Sequence, residues 1–342
     1  MTNSFLIHAI PPYMIHVGDG VFAELSVKKY SQAICCVDER VWQSHEQYIR
    51  DVIKDMTVIV IPSGEKSKSL DKYQVIIEHL LKNHIDRKGV IIAIGGGVVG
   101  DLAGFCAATY MRGIDFIQVP TTILAHDSAI GGKVAINTDV AKNSIGAFHQ
   151  PTTVYYDTQF LATLPEREVL SGFGEICKHM FLDKHFYDFM QAFPDLAVAE
   201  ENIETILLHS MQVKQKFVEE DPYENDVRKY LNFGHTFGHA LEQISNYSLS
   251  HGAAVAYGMA FAEYLATPIG IREMLINYGL LTPLQLDVDF DTVYNLMKND
   301  KKSVSGAIQF VLMDVIGHPY AQVVGESELR EAFDNWRMEY LV

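Results

Sequence analysis

The sequence predicts an α/β N-terminal domain built on a Rossmann-like parallel sheet, residues 1–155, followed by a mostly α-helical C-terminal domain, residues 156–342. Three observations carry that expectation. Short apolar runs alternate with helical patterns through the N-terminal half, the rhythm of parallel strands joined by crossover helices. A glycine cluster, Gly95 to Gly97 with Gly100, follows one apolar run and opens the next helical pattern. From about Leu161 the alternation stops and helical periodicity takes over, which puts the change of domain near Pro151.

Taken in order, AICCVDE (33–39) reads as a buried strand ending at Asp38, and TVIVIP (57–62) as another, stopped by Pro62. SLDKYQVIIEHLLKNH (69–84) is an amphipathic helix with Ser69 as its N-cap. GVIIAIGGG (89–97) is a strand running into glycines, VVGDLAGFCAATY (98–110) a buried helix, and FIQVP (116–120) the next strand. In the second half EREVLSGFGEICKHMFLDKHFYDFMQAF, IETILLHSMQVKQKFVEE and GAAVAYGMAFAEYLAT carry helical periodicity, with a short hairpin expected near Ala307–Leu312.

The net charge of −16 disfavours nucleic acid and anionic membrane surfaces as partners. An anionic substrate must then be met by a local cationic cluster. Cys35, Cys36, Cys106 and Cys177 form no CxxC pair and lie mostly in apolar runs, the usage of a reducing compartment. No basic-then-apolar signal opens the chain and no apolar run reaches the length of a membrane span, so a cytoplasmic protein is expected.

Chemistry concentrates in Arg228–Gly252. His235 and His239 stand four apart, on one face of a helix, and His251 follows the polar segment NYSLS. Imidazoles are common zinc ligands, although an HxxxH pair alone is more often two ordinary helix histidines. The glutamate of an HExxH protease is absent, because Thr236 stands in its place. A metal here needs an acid from elsewhere. Glu175, in GFGEICKH among glycines and apolar residues, is a candidate; its bland reading is an acid favoured by a helix start.

Gly95, Gly97 and Gly100 formally spell GxGxxG between a strand and a helix, where the backbone can approach a pyrophosphate. The turn is not on the first strand, and Asp101 follows it at once; Asp38 is instead placed to serve an adenosine ribose. SGEKSKS (63–69) adds Glu65 and Lys68 on a loop after a strand. Lys133, Lys142 and Asn143 stand on glycine-containing loops suited to phosphate or carboxylate, though each singly also reads as a solvated side chain.

Taken together, SGEKSKS, GGGVVGDLAGF, ATYMRG, VPTT, DSAIGGK, AKNSIGAFHQP, FLATLP, SGFGEICKH, RKYLNFGHTFGHALE, LSHG and DKK (300–302) resemble, in order, the 3-dehydroquinate synthase family over essentially the whole chain. The wider group of sugar-phosphate cyclases and metal-dependent glycerol dehydrogenases shares the fold and part of the match. The resemblance implies a metal, usually zinc with cobalt as a substitute, held by Glu175, His235 and His251. It implies NAD held by Glu65, Lys68, Gly97, Val98, Val99, Gly100, Asp101, Thr121, Thr122, Lys133, Lys142 and the turn Phe160, Leu161, Ala162, Thr163, with Asp38 near the adenosine.

The implied substrate is 3-deoxy-D-arabino-heptulosonate 7-phosphate, with Asp127, Lys133, Lys178, Glu224, Arg228 and His239 as catalytic residues. Arg112, Lys133, Asn143, Lys214, Arg228, Asn232, His239 and one of Lys301 and Lys302 are implied to bind it. His239 would point at the phosphate, and Arg112 would reach in from a partner subunit of a homodimer. The chain departs from common family versions at Ala129, often Ser, and Ala253, often Glu.

The residue types suit the implied reaction. A Glu-His-His zinc site leaves positions for two substrate hydroxyls. NAD takes a hydride, the new ketone acidifies the neighbouring C–H, phosphate leaves, the hydride returns, the ring opens and an enolate closes the carbocycle. Lys133, Lys214 and Arg228 suit the carboxylate; Arg112, Asn143, Asn232, His239 and a DKK lysine suit the phosphate. The rivals are a cyclase for another sugar phosphate, a metal-dependent polyol or glycerol-phosphate dehydrogenase, and a silent NAD-binding module.

Overall fold

The structure, a computed structural model, describes residues 3–299 and 308–342. Lys301, Lys302 and Ala307 lie outside the described residues. The chain divides into two compact units, Met1–Leu164 and Pro165–Val342.

The first unit contains β1 (Asn3–Ile7), β2 (Tyr13–Gly18), β3 (Ala33–Asp38), β4 (Thr57–Ile61), β5 (Val90–Gly95), β6 (Asp115–Pro120), β7 (Lys133–Ile136), β8 (Ile145–Phe148) and β9 (Thr153–Asp157). Its helices are α1 (Glu39–Ile53), α2 (Leu70–Lys82), α3 (Gly97–Thr109) and the single turn α4 (Ala125–Ser128). Seven strands form one sheet in the order β1-β2-β9-β6-β5-β3-β4. Its neighbours are parallel except the edge pair β1/β2; β7 and β8 form a separate antiparallel hairpin.

Successive side chains along a strand point to opposite faces, and here both faces are covered. Ile34 and Cys36 of β3 pack with Ile91 and Ala93 of β5 and with Ile76, Leu80 and Leu102 of α2 and α3. Cys35, Val37, Ile92 and Ile94 face the other way, onto Ile49 and Ile53 of α1. That is why these strands read as unbroken apolar runs. The 155/156 boundary expected from the sequence falls within β9, which docks between β2 and β6; the unit then continues through Phe160, still packed in its core.

The strand order reverses at β3, with β4 on one side and β5 on the other. The carboxyl ends of strands at such a point frame a ligand crevice. Asp38 ends β3 and Gly95 ends β5.

The second unit contains α5 (Glu166–Leu182), α6 (Lys184–Met190), α7 (Leu196–Glu201), α8 (Ile203–Glu220), α9 (His235–Ile244), α10 (His251–Tyr264), α11 (Ile271–Asn277), α12 (Phe290–Asn299) and α13 (Glu326–Tyr340). The expected hairpin is β10 (Gln309–Met313) paired with β11 (Pro319–Val323). α10 is buried around its whole circumference from Ala254 to Glu263, the mark of a central helix. Glycines let its neighbours touch it at backbone distance. A β-carbon on Gly174 of α5 would fall 2.1 Å from the Gly252 carbonyl oxygen, and one on Gly258 would fall 1.7 Å from that of Gly234, just before α9. No helix among the described residues is long and apolar enough to cross a membrane.

Candidate metal and nucleotide sites

In the second unit, α5 carries Glu175 into a wholly buried stretch, Ser171–Leu182, leaving it 1% exposed. A carboxylate buried so deeply requires charged or donor partners. Its Oε2 pairs with the ammonium of Lys178, one turn on along the same helix and equally buried. Its Oε1 lies 3.3 Å from Nε2 of His251 and 3.5 Å from Nε2 of His235. The glycine contacts produce this meeting, because α5 and α9 both lie directly on α10.

The tautomers follow from the partners. His235 Nδ1 lies 3.1 Å from the Phe233 carbonyl oxygen, an acceptor, so Nδ1 carries the hydrogen. His251 Nδ1 lies 3.3 Å from Oε2 of Glu242, which fixes the same choice. Both rings, when neutral, therefore turn a lone pair toward Glu175. Donors about 2.1 Å from a tetrahedral zinc ion stand about 3.4 Å apart. The two measured separations match that edge, so the donor set fits zinc or a similar ion. Burial alone depresses the His251 imidazole, but Glu175 and Glu242 outweigh it and push it up to about 10. Two carboxylates at 3.3 Å from the two nitrogens of one imidazole give the pocket the charge for a cation.

His239, one turn beyond His235, has its ring centroid 5.3 Å from that of His235 and 6.0 Å from that of His251. It belongs with Glu242 and His251 to a second, overlapping group of close donors. The spacing of His235 and His239 drew attention in the sequence; Glu242, seven residues after His235, did not. Its signal was the continuation of the same helical face.

The loop after α8 is tied by Asp221, which accepts the backbone N–H groups of Asn225, Asp226 and Arg228 at 2.9, 2.7 and 3.1 Å. Burial would raise its carboxyl, but those bonds prevail and hold it below the usual carboxylate range. The loop presents Glu224 to Asn232, whose Nδ2 donates at 2.9 Å. Arg228 is 2% exposed, its Nη1 donating to the Pro222 carbonyl at 2.6 Å, and Lys214 of α8 is buried.

In the first unit, Gly95 is required by close approach. A β-carbon there would lie 2.8 Å from Cβ of Val99 and 3.2 Å from Cβ of Asp38, so the strand end, the start of α3 and Asp38 converge. Asp38 caps α1 through Oδ1, which accepts from the Arg40 N–H and the Ser63 hydroxyl. Lys68, almost fully buried, bridges Asp101 and Asn143. Asn137, absent from the sequence reading, links the same group: it donates to Glu65 at 2.7 Å and accepts from the Asn143 N–H at 2.9 Å. Thr121 is 1% exposed, and its hydroxyl has no partner among the described residues. This orphan, the glycine turn and the buried lysine fit a nucleotide.

Phe160 has its ring in the core beside Phe22, His45 and Tyr48, so only its backbone is left for a ligand. Asp127 lies on α4, Lys133 opens β7 as an exposed residue, and Lys142 stands with Asn143 between β7 and β8. Arg112 is exposed at a φ of 71° and forms no ion pair among the described residues, Asp115 included.

Comparison with known proteins finds relatives over most of the chain. The family model for the 3-dehydroquinate synthase N-terminal domain matches residues 58–171, and that for its C-terminal domain matches residues 172–303. A 3-dehydroquinate synthase of Listeria welshimeri is 41% identical over 329 residues, 91% of this chain and 89% of the relative. That of Geobacillus thermodenitrificans is 48% identical over 275 residues, 77% of this chain and 75% of the relative. Among solved structures, 2-deoxy-scyllo-inosose synthase complexed with carbaglucose-6-phosphate, NAD+ and Co2+ shares the fold at a TM-score of 0.86 and 24% identity, covering 98% of this chain and 100% of the other.

Proposed function

The chain belongs to the 3-dehydroquinate synthase family, and on that premise we propose that it converts 3-deoxy-D-arabino-heptulosonate 7-phosphate to 3-dehydroquinate and phosphate. The enzyme is an NAD- and metal-dependent carbon–oxygen lyase that closes a carbocycle. The observation that carries this reading is one buried carboxylate oxygen, Oε1 of Glu175, with two imidazole nitrogens at 3.3 and 3.5 Å. The NAD+ and Co2+ bound by the solved relative of like fold support the same pair of cofactors. When bound, the ion supplies a Lewis acid at a substrate hydroxyl, and NAD supplies a hydride acceptor restored within each turnover.

Glu175, His235 and His251 would hold the ion. Lys68, Asp101, Thr121 and the Gly97–Gly100 turn would hold NAD, with Asp38, Glu65, Thr122, Lys142 and the 160–163 backbone around it. The chain's other residues bind and orient. Lys214 and Arg228, buried cations in an acidic protein, take the substrate carboxylate. His239 and Asn232 take the phosphate, and Glu224 keeps the Asn232 amide in place. Lys178 balances the Glu175 charge beside the reacting substrate oxygen. Holding both anionic ends fixes the ring, and such orientation accounts for much of the rate.

The enzyme acts as a homodimer in which the exposed Arg112 completes the neighbouring phosphate site. A cytoplasmic setting suits Cys35, Cys36, Cys106 and Cys177, all buried free thiols.

Incubation with the heptulosonate phosphate, zinc and a catalytic amount of NAD tests the reading. Phosphate and carbocycle should form together over many turnovers with no NADH build-up. Stoichiometric NADH would favour a polyol dehydrogenase, and turnover only with another sugar phosphate would favour a sister cyclase.

A further inference from the structure

We infer that Glu242 is the positioning residue of the metal site, a carboxylate that selects which nitrogen His251 offers. The inference rests on the metal reading above. Glu242 lies on α9 two turns beyond His235, so one helix supplies a ligand directly and braces the ligand of another. Its side chain is 10% exposed, and Oε2 stands 3.3 Å from Nδ1 of His251. On the opposite edge of the same ring, Nε2 stands 3.3 Å from Glu175. The imidazole is thus held between two carboxylates with different tasks: Glu242 receives the Nδ1 hydrogen, and Nε2 is left with its lone pair toward Glu175. A ligand ring braced in this way keeps its orientation and gains basicity.

His251 is also the first residue of α10, where the helix's exposed N–H groups favour a nearby negative charge. The backbone of Glu242 is anchored as well, its carbonyl accepting the Tyr247 N–H at 2.8 Å and the Ser245 hydroxyl at 3.0 Å. The alternative is that Glu242 is itself a ligand, with His239 and His251 as partners. The carboxylate central to that second group is less deeply buried than Glu175 and already occupies the Nδ1 edge.

The experiment measures zinc affinity by chelator competition in wild type, H235A, E242A and E242Q. Nitrogen-labelled histidine NMR of the zinc-loaded proteins reports which His251 nitrogen is bound to metal. E242A is expected to lose about 10–100-fold in affinity. Its His251 signals should show mixed Nε2 and Nδ1 coordination. E242Q keeps an oxygen acceptor, so it should stay within about threefold of wild type and retain Nε2 coordination alone. Wild-type affinity and a single Nε2 form in E242A would overturn the role. Equal, large losses in E242A and E242Q would make Glu242 a ligand and overturn it too. Should E242A fail to fold, the isosteric E242Q still decides through its coordination signature. Failure of the metal reading is separate: H235A would then bind zinc as wild type does.

Discussion

The carbonyl oxygen of Ser171 occupies the place where Gly252 would carry a side chain: a β-carbon there would lie 1.7 Å from it. The obstructing atom is backbone, which cannot swing aside as a side chain can. Gly252→Ala must therefore push α10 off α5, and with it His251 away from Glu175. Overpacking typically costs about 1–3 kcal/mol, and a backbone clash stands at or above the top of that range. Urea unfolding should show a loss of about 3 kcal/mol or more, accompanied by weaker zinc binding. Unchanged stability and affinity would show that this contact does not hold the site together.

Lys68 joins the loop after β4, the glycine helix and the β7–β8 loop through Asp101 and Asn143. Lys68→Met keeps most of the buried stem and removes the bridge. NAD binding, followed by titration calorimetry, should weaken about tenfold, a change of about 1.4 kcal/mol. Zinc affinity, set by the other unit, should not move. Loss of zinc binding with NAD binding intact would contradict this division of tasks.

Glu263 ties the end of α10 to the start of α11. Its carboxylate, 4% exposed, accepts the N–H groups of Ile269, Ile271 and Arg272 together with Arg272 Nε. Burial raises its pKa, but those hydrogen bonds prevail and hold the carboxyl below the usual glutamate range. A depressed acid contributes stability above its unfolded-state pKa and loses it as pH falls through the folded value. Glu263→Gln should thus cost about 2 kcal/mol at neutral pH, discounted for the partly exposed arginine. The difference from wild type should shrink on acidification below about pH 4.3. A gap that stayed constant to acid pH would assign the cost to packing instead.

Arg112 provides a test of assembly. Arg112→Ala and Lys133→Ala proteins should each be nearly inactive. After random subunit exchange about half the dimers are hybrids, each with one intact site if Arg112 acts across the interface, giving about a quarter of wild-type activity. Verified hybrids without activity would rule out the shared site.

Much of this was legible in the sequence. β3, β5 and α3 announced themselves as apolar runs because sheet and helices bury them on every side. The β1–β2 hairpin did not, since alternate residues of an edge pair face partial exposure and its apolar signal is diluted. Glu175, His235 and His251 were legible as ligand types, and the family resemblance grouped them. Glu242 and Asn137 were not, because an acid or amide among helix formers or loop residues looks solvated. Glu242 is buried against α10, and Asn137 is engaged by Glu65 from the loop after β4, partners that no local window contains. Phe160 shows the converse: a residue in a recognisable ligand-side segment whose ring is spent on the core.

Glu175, His235 and His251 come from three helices, two of them seated on the third through glycines. Such a centre is not a module. It cannot be lifted out as a peptide or exchanged between scaffolds by grafting, as a zinc-finger loop can, because its geometry is the crossing of the helices themselves. New substrates in this architecture should therefore arise by exchanging the side chains and loops around a fixed metal seat, with the glycines at the crossings the last positions to tolerate change.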